Sequence, residues 1–524
     1  MTRFKSVDHA RVNLAPLSVI VGSNSSGKST LLQPILAIHQ AVASGGSAET
    51  SLLNGSLLEL GRFSEVRNFR IDDYGVPDWF DDIRICFQII GQEQIPIDWR
   101  ITVSPHDADD LSAQVNQSAM TVAMPGDHYF DDGHYYIART GNQTTIVFLR
   151  DDPTISPRDL PPLSSDDFIK IFRFIVDSQY YGEELYLDSE HSVDRDREME
   201  ARQLSFQVDD RIGFGSPEVI KDAAAELGRV CVQPEFVAED PLLCVTVEQD
   251  AMWDAEAEET RKWSVDEITR VNQTIHDIFE SKVSYLGPLR ATPRKMGHAD
   301  LVSGRTHLGE RGENTAATLH ARKGDTICVP LPDGRETRMP LGEATNQWLK
   351  WFGIADSAAA QSARRAVGLS VTPPGADTSV DLASVGVGVS QVLPVILLCL
   401  LSEPADVLIL EQPELHLHPA LQKRMADFLL TFVCAGRQIL VETHSDHLVN
   451  QLRTQVASDD TDEIQNLVKL IFAEQKDGIT TYRDSDINEY GGLSEDWPDG
   501  FLDISARSAQ DLVRQSLRKL KARS

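Results

Sequence analysis

The chain has 524 residues, of which 41% are apolar and 25% charged. That is enough apolar surface to build a core, and it excludes wholesale disorder. Lys and Arg number 49 against 80 Asp and Glu, a formal charge of −31. A general basic coat for nucleic acid, which works by displacing counterions from phosphates, is therefore excluded too. At about 100–200 residues per domain, the length predicts about three domains. Six cysteines stand at 86, 231, 244, 328, 399 and 434. None forms a CxxC pair, so neither a disulfide framework nor a zinc site is expected. The start, MTRFKSVDHARVNL, has no apolar core of a signal peptide, and the longest apolar stretch, 392–401, contains Pro394. It is too short to span a bilayer and predicts a buried helix in a cytoplasmic protein with no membrane contact.

In chain order, LSVIV (17–21) predicts a short buried strand, followed by a Gly/Ser/Asn loop and a helix from about Lys28 to Ala43 that contains Pro34. From 83 to 150 the period changes to two. IRICFQII, PIDWRITVS and YYIARTGNQTTIVFL alternate, with Thr140-Gly141-Asn142 marking a turn, and predict an antiparallel β layer. A Pro-rich link (PTISPRDLPPL) then leads into a largely helical stretch up to about 280. It contains two acidic runs, 181–200 and 237–260, which carry −6 and −8, together −14 of the −31. Such runs usually form a solvated face, and they are also the first place to look for a partner surface.

After YLGPLR (285–290) the α/β pattern returns. DTICVPLPDGRETRMPL (325–341) predicts a hairpin around Asp333-Gly334. A Gly-rich loop (384–390), an apolar helix (391–401) and a strand (ADVLILE, 405–411) follow. Next come a helix from about Pro419, a strand (QILVET, 438–443) and another helix. The last residues, 506–524, carry six basic side chains and one acid, with Leu512, Val513, Leu517 and Leu520 at helical spacing. This tail is either a solvated helix or a local basic patch for nucleic acid or an acidic partner.

Three segments carry chemistry. Gly22-Ser23-Asn24-Ser25-Ser26-Gly27-Lys28-Ser29, with Thr30 next, fits G-x-x-x-x-G-K-[ST] between a strand and a helix. Its glycines let backbone N–H groups turn inward around phosphate oxygens, and the helix N-terminus adds partial positive charge. Lys28 is expected on the β- and γ-phosphates and Ser29 on Mg²⁺. VLILEQPE (407–414) ends an apolar strand with Glu411, expected at the Mg²⁺ shell. Glu414 follows, expected to polarise the attacking water or else to cap the next helix. ILVETHSDHL (439–448) ends a second strand with His444, which either senses a γ-phosphate or is an ordinary loop histidine. His416 and His418 are two residues apart with no third ligand in sequence, so no metal site is expected there.

Together, GSNSSGKSTLLQPILAIHQ, YLGPLR, VGVGVSQVLPVILL, LILEQPELHLHPALQ and VETHSDHLVNQLR resemble the ABC-type ATPase superfamily. The resemblance is to the branch shared with SMC proteins, the RecF type and the overcoming-lysogenization-defect (OLD) nucleases. Within it, the motifs look like the AAA-type predicted ATPases of bacteria, and EDWPDGFLD (495–503) resembles the C-terminal domain of unknown function in one such family. The resemblance covers about 1–70 and 281–505. It implies an α/β fold: an ABC-type ATPase head, with a phosphate-loop sheet, an antiparallel β layer and a helical lobe, plus an inserted α+β middle region. The implied domains are an N-terminal ATPase lobe (1–150), an acidic insert (151–280), a C-terminal lobe (281–475) and a C-terminal segment with the basic tail (476–524).

The resemblance also implies roles. Lys28 and Ser29 match Walker A, Glu411 the Walker B acid, Glu414 the catalytic glutamate and His444 the switch histidine. Ser384 to Gln391 stand where the signature motif belongs. They depart from LSGGQ, with Gly386 in place of the signature serine, and Gly386, Gly388 and Ser390 are the implied nucleotide contacts. Neither Gln33 nor Gln40 fits the Q-loop. In the superfamily that the chain resembles, the signature loop completes the site of the other subunit, so the resemblance implies a head-to-tail homodimer, or a higher assembly built on it, with ATP and Mg²⁺ at the interface. The implied function is an ATP-hydrolysing dimerisation switch in phage defence or DNA maintenance, acting with a separate effector protein. The alternative is a single-chain OLD-like ATPase–nuclease. It would need a metal-binding nuclease domain, for which only Asp484-Ser485-Asp486 in a short C-terminal stretch is available.

Overall fold

The computed structural model describes residues 1–43, 52–68, 83–90, 96–105, 113–124, 133–140, 143–150, 274–293, 297–298, 308–332, 334–363, 366–494, 514–515 and 519. The two acidic runs, the Pro-rich link, EDWPDGFLD and nearly all of the basic tail lie outside the described residues. The chain divides into two compact units. One comprises Met1–Phe4 and Ala37–Asp277, the other Lys5–Leu36 and Ile278–Ser524. This differs from the expected domain limits. The phosphate-loop segment groups with the C-terminal residues rather than with the antiparallel layer, because its strand finds its neighbours there.

The second unit is built on a six-stranded sheet. Its strands are β1 (Leu17–Gly22), β2 (Val283–Leu286), β3 (Val407–Glu411), β4 (Gln438–Thr443), β5 (Val468–Lys476) and β6 (Ile479–Asp486). Their order is β6-β5-β1-β4-β3-β2. All neighbours are parallel except β5 and β6, which form a hairpin. The fold is thus α/β with a parallel-rich central sheet, as expected. Strands covered on both faces read as continuous apolar runs, and every residue of β1, LSVIVG, is buried. The boundary expected between 475 and 476 falls inside the β5–β6 hairpin. There Asp477 and Gly478 take positive φ values of 51° and 78°, as a two-residue hairpin turn requires.

Helices among the described residues include α1 (Lys28–Ala43), α2 (Leu341–Phe352), α3 (Val387–Leu401), α4 (Pro419–Cys434) and α5 (Asp446–Ala457). The expected limits of α1, Pro34 included, hold. The loop expected over 384–390 does not. Leu382–Ser384 is a 3-10 turn, and α3 already begins at Val387 with Gly386 as its N-cap residue. Val392, Leu393 and residues 395–401 of α3 are at most 4% exposed, and Pro394 is buried with them, so this apolar stretch is a core helix. α2 packs on it, and α2 in turn meets α4 through Trp348, Phe352, Phe428 and Phe432, ring on ring. The hairpin expected at 325–341 is present, Thr326 pairing with Pro340 through to Pro330 with Glu336. An antiparallel pair, Ser357–Ala363 with Ala366–Thr372, also belongs to this unit.

In the first unit, the strand Thr2–Phe4 pairs antiparallel with Ile83–Ile90. Next come Pro96–Pro105, Ala113–Met124, Gly133–Thr140 and Gln143–Arg150, each antiparallel to the one before. The expected β layer is therefore present, with one strand (Ala113–Met124) that the sequence did not announce. Trp99, Ile101 and Val103 alternate into its core at 0–1% exposure. Among the described residues no helix is long and apolar enough to cross a membrane.

Candidate functional site

β1 ends at Gly22 and α1 begins at Lys28, so the motif forms the turn between a central strand and a helix N-terminus. Ser23, Asn24 and Ser25 are exposed, whereas Ser26, Lys28 and Thr30 are buried. Ser25 and Gly27 have positive φ values of 60° and 94°. A Cβ on Gly27 would stand 2.6 Å from the Thr480 side chain, so glycine is required there by conformation and by space. The Lys28 ammonium donates to the carbonyls of Ser23 (2.7 Å) and Gly22 (3.3 Å). Burial holds its pKa below the usual lysine range, partly countered by Glu442.

Parallel register aligns the strand ends beside this loop. Glu411 is the register partner of Glu442, and Glu442 of Ile20 in β1. The Ser29 hydroxyl donates to Glu442 Oε2 at 2.7 Å. Glu411 Oε1 accepts from the Tyr285 hydroxyl at 3.0 Å, and the Arg290 guanidinium donates to the Glu411 carbonyl from 3.4 Å. Glu411, 8% exposed, has its pKa pushed up to about 7. Burial is the main cause and the Glu442 charge the next, against the pull of Tyr285 and Arg290. Glu442 is raised mainly by burial. Arg290, itself buried, is brought down to about 10 by desolvation and is coupled to both Glu411 and Glu414.

Past β3 the backbone turns through Gln412 (φ 46°), whose N–H donates to the Glu442 carbonyl. This swings Glu414 back toward β4, where its Oε1 accepts from the His444 N–H at 3.0 Å. Its Oε2 is buried without a hydrogen-bond partner. Burial raises the Glu414 pKa, partly offset by the hydrogen bonds it accepts. Glu414 does not cap α4. That role falls to His418, whose Nδ1 accepts from Ala420 N–H. His444 is half-buried, and desolvation together with nearby Lys28 lowers its pKa, which favours the neutral imidazole.

Lys28, Ser29, Glu411, Glu414 and His444 thus meet at the C-terminal ends of β1, β3 and β4. Sequence reasoning passed over three members of the group: Glu442, Tyr285 and Arg290. All three lie in quoted motifs, VETHSD and YLGPLR, but only the folded sheet brings Glu442 to Ser29, and Tyr285 and Arg290 to Glu411. Gly386, Gly388 and Ser390 stand elsewhere, at the start of α3. Gly386 is exposed, while Ser390 is buried at 6%. Gln40 is occupied structurally: it accepts from Leu57 and Leu58 N–H and donates to Leu52 O. In β6, Asp484 accepts from Asn13 and Asp486 pairs with Lys469, so each acid has a structural partner. Among the described residues no three His, Cys, Asp or Glu side chains gather as a cation cage. A cation here would take its remaining ligands from Ser29, phosphate and water. Hydroxyl and carboxylate oxygens are hard ligands that suit Mg²⁺.

Residues 333–449 match the AAA ATPase domain family, under a quarter of the chain. No curated protein matches it. Three solved structures are similar at low identity. One is the Smc head domain with an extended coiled coil bound to the C-terminal domain of ScpA, from Pyrococcus furiosus. Its identity is 11%, covering 92% of this chain and 94% of that one, with TM-score 0.33. Another is a SmcHead bound to the C-winged helix domain of ScpA (9% identity; 93% and 96% covered; TM-score 0.37). The third is the SMC head domain from Thermotoga maritima (9% identity; 92% and 95% covered; TM-score 0.31). These global superpositions are loose.

Proposed function

We propose that this chain binds ATP with Mg²⁺ and hydrolyses it, as an ABC/SMC-type dimerisation switch. The observation that carries the reading is the meeting of a strand–loop–helix phosphate motif with two acidic strand ends, joined by the Ser29–Glu442 hydrogen bond. The match of 333–449 to an AAA ATPase domain supports it. Lys28 places its charge on the β- and γ-phosphates. Ser29 and Glu411, with Glu442 beside them, are the residues that would hold Mg²⁺, which supplies neutralisation of phosphate charge. Glu414, with its raised pKa, accepts a proton from the water that attacks the γ-phosphorus as the bond to ADP breaks. His444, as a neutral imidazole, can donate to the γ-phosphate while its own backbone N–H steadies Glu414. Gly386 and Gly388 would offer the N-terminus of α3 to the nucleotide of a second copy. Action in phage defence or DNA maintenance, with a separate effector and nucleic acid touched only through a local basic patch, follows from the sequence resemblance.

Glu414→Gln tests the reading. It is expected to keep ATP–Mg²⁺ affinity in calorimetry, to lose at least about 100-fold in hydrolysis, and to accumulate as a dimer in size-exclusion chromatography. Lys28→Ala is expected to lose nucleotide binding altogether. Unchanged turnover in Glu414→Gln would overturn the assignment.

A further inference from the structure

The phosphate loop rests on the β5–β6 hairpin through contacts that no motif announced. In strand register, Gly22 lies beside Ala473, and Ala473 beside Tyr482. Thr480 and Tyr482 are two apart in β6 and so share a face. The Thr480 hydroxyl donates to the Ser26 carbonyl at 3.1 Å, and the Tyr482 hydroxyl to the Gly27 carbonyl at 2.6 Å. Ser6 completes the arrangement: its hydroxyl lies 2.7 Å from Thr480 Oγ1 and its carbonyl accepts from Thr480 N–H at 2.7 Å. Thr480 can therefore spend its one proton on Ser26 while accepting from Ser6. Thr480 is fully buried.

Peptide planarity gives these bonds a consequence. In a trans peptide the C=O and the following N–H point in opposite directions. Fixing the Ser26 carbonyl toward β6 aims the Gly27 N–H away from it, and fixing the Gly27 carbonyl does the same for Lys28 N–H. Those N–H groups belong to the anion-binding turn. We infer that the β5–β6 hairpin is the bed of the phosphate loop, and that Thr480 and Tyr482 are positioning residues that pre-set its N–H groups for nucleotide. The inference rests on the ATP reading and adds residues to it that lie about 450 positions from the loop.

The test is ATP–Mg²⁺ titration and steady-state hydrolysis on the full chain, for wild type, Tyr482→Phe, Thr480→Val, Thr480→Ser and Thr481→Val. Each lost hydroxyl removes one hydrogen bond to a loop carbonyl, and Thr480→Val also the one shared with Ser6, so Tyr482→Phe and Thr480→Val are expected to raise Kd and KM about five- to tenfold. Their kcat at saturating ATP stays within about twofold of wild type. Thr480→Ser keeps the hydroxyl and stays close to wild type, as does Thr481→Val on the exposed face of the hairpin. Wild-type affinity in both Tyr482→Phe and Thr480→Val would overturn the role. So would equal losses in Thr481→Val, or a fall in kcat with KM unchanged. A wild-type chain that binds no nucleotide would instead overturn the ATP reading, and this role with it.

Discussion

Glu411 and Glu442 stand side by side on adjacent strands, each buried and each with a raised pKa. Two carboxyls so placed resist ionising together. A carboxyl whose pKa rises on folding stabilises the fold fully below its unfolded value and loses that contribution as pH climbs through its folded value. For Glu411 the window runs from about 4.5 to about 7. Glu411→Gln, neutral at every pH, is therefore expected to gain stability relative to wild type between pH 5 and pH 8. Urea denaturation in chelator, without nucleotide, checks this; a gap that shrinks with rising pH would contradict it. The sequence made Glu411 legible, because an apolar strand ending in an acid after a phosphate loop has few other uses. Glu442 was less legible. Inside VETHSD it reads as an ordinary strand residue until register sets it beside Glu411 and its carboxylate accepts from Ser29.

At the scale of elements, α2 shows how a helix can hide. Its buried positions, Leu341, Ala344, Thr345, Trp348, Leu349 and Phe352, keep helical spacing. Two of them are Ala and Thr, which blur the apolar stripe, and Pro340 closes a hairpin strand just before it. Its C-terminal carbonyls at Trp351 and Phe352 are taken by Arg424 of α4. Trp348 is fully buried against Phe428, and its indole N–H is buried without a hydrogen-bond partner. Trp348→Ala is expected to cost about 3–5 kcal/mol. Trp348→Phe should cost distinctly less, since it keeps a ring and removes an unpartnered donor; chemical denaturation separates the two. The strand–loop–helix at 17–43 and the strand at 438–443 were legible because apolar runs and glycines mark their ends. The start of α3 is not legible because Gly386-Val387-Gly388 lowers helix propensity, and the helix uses the first glycine as its cap. β6 was illegible for another reason. ITTYRDSD has no apolar alternation, since its inward side chains bond to loop carbonyls rather than to a greasy face.

For the whole molecule, the switch reading makes the open α3 N-terminus decisive. In a Glu414→Gln background, Gly386→Trp is expected to leave ATP affinity of the single chain intact and to abolish the ATP-dependent dimer; analytical ultracentrifugation with ATP–Mg²⁺ reads this directly. A dimer unaffected by the bulk would remove α3 from the interface. The discontinuity of the second unit matters in another setting, the ribosome. β1 lies between β4 and β5, and Gly22 waits for Ala473. At about 5–20 residues per second, the nascent LSVIVG strand would spend roughly 20–90 s without its partners. An unpaired apolar strand over that time is an invitation to aggregation, so biogenesis of this chain should lean on chaperones that shield β1. A message broken before the codon for Thr480 would yield a polypeptide with Gly22–Ser29, Glu411 and Glu442 all present and neither Thr480 nor Tyr482 to hold the Ser26 and Gly27 carbonyls.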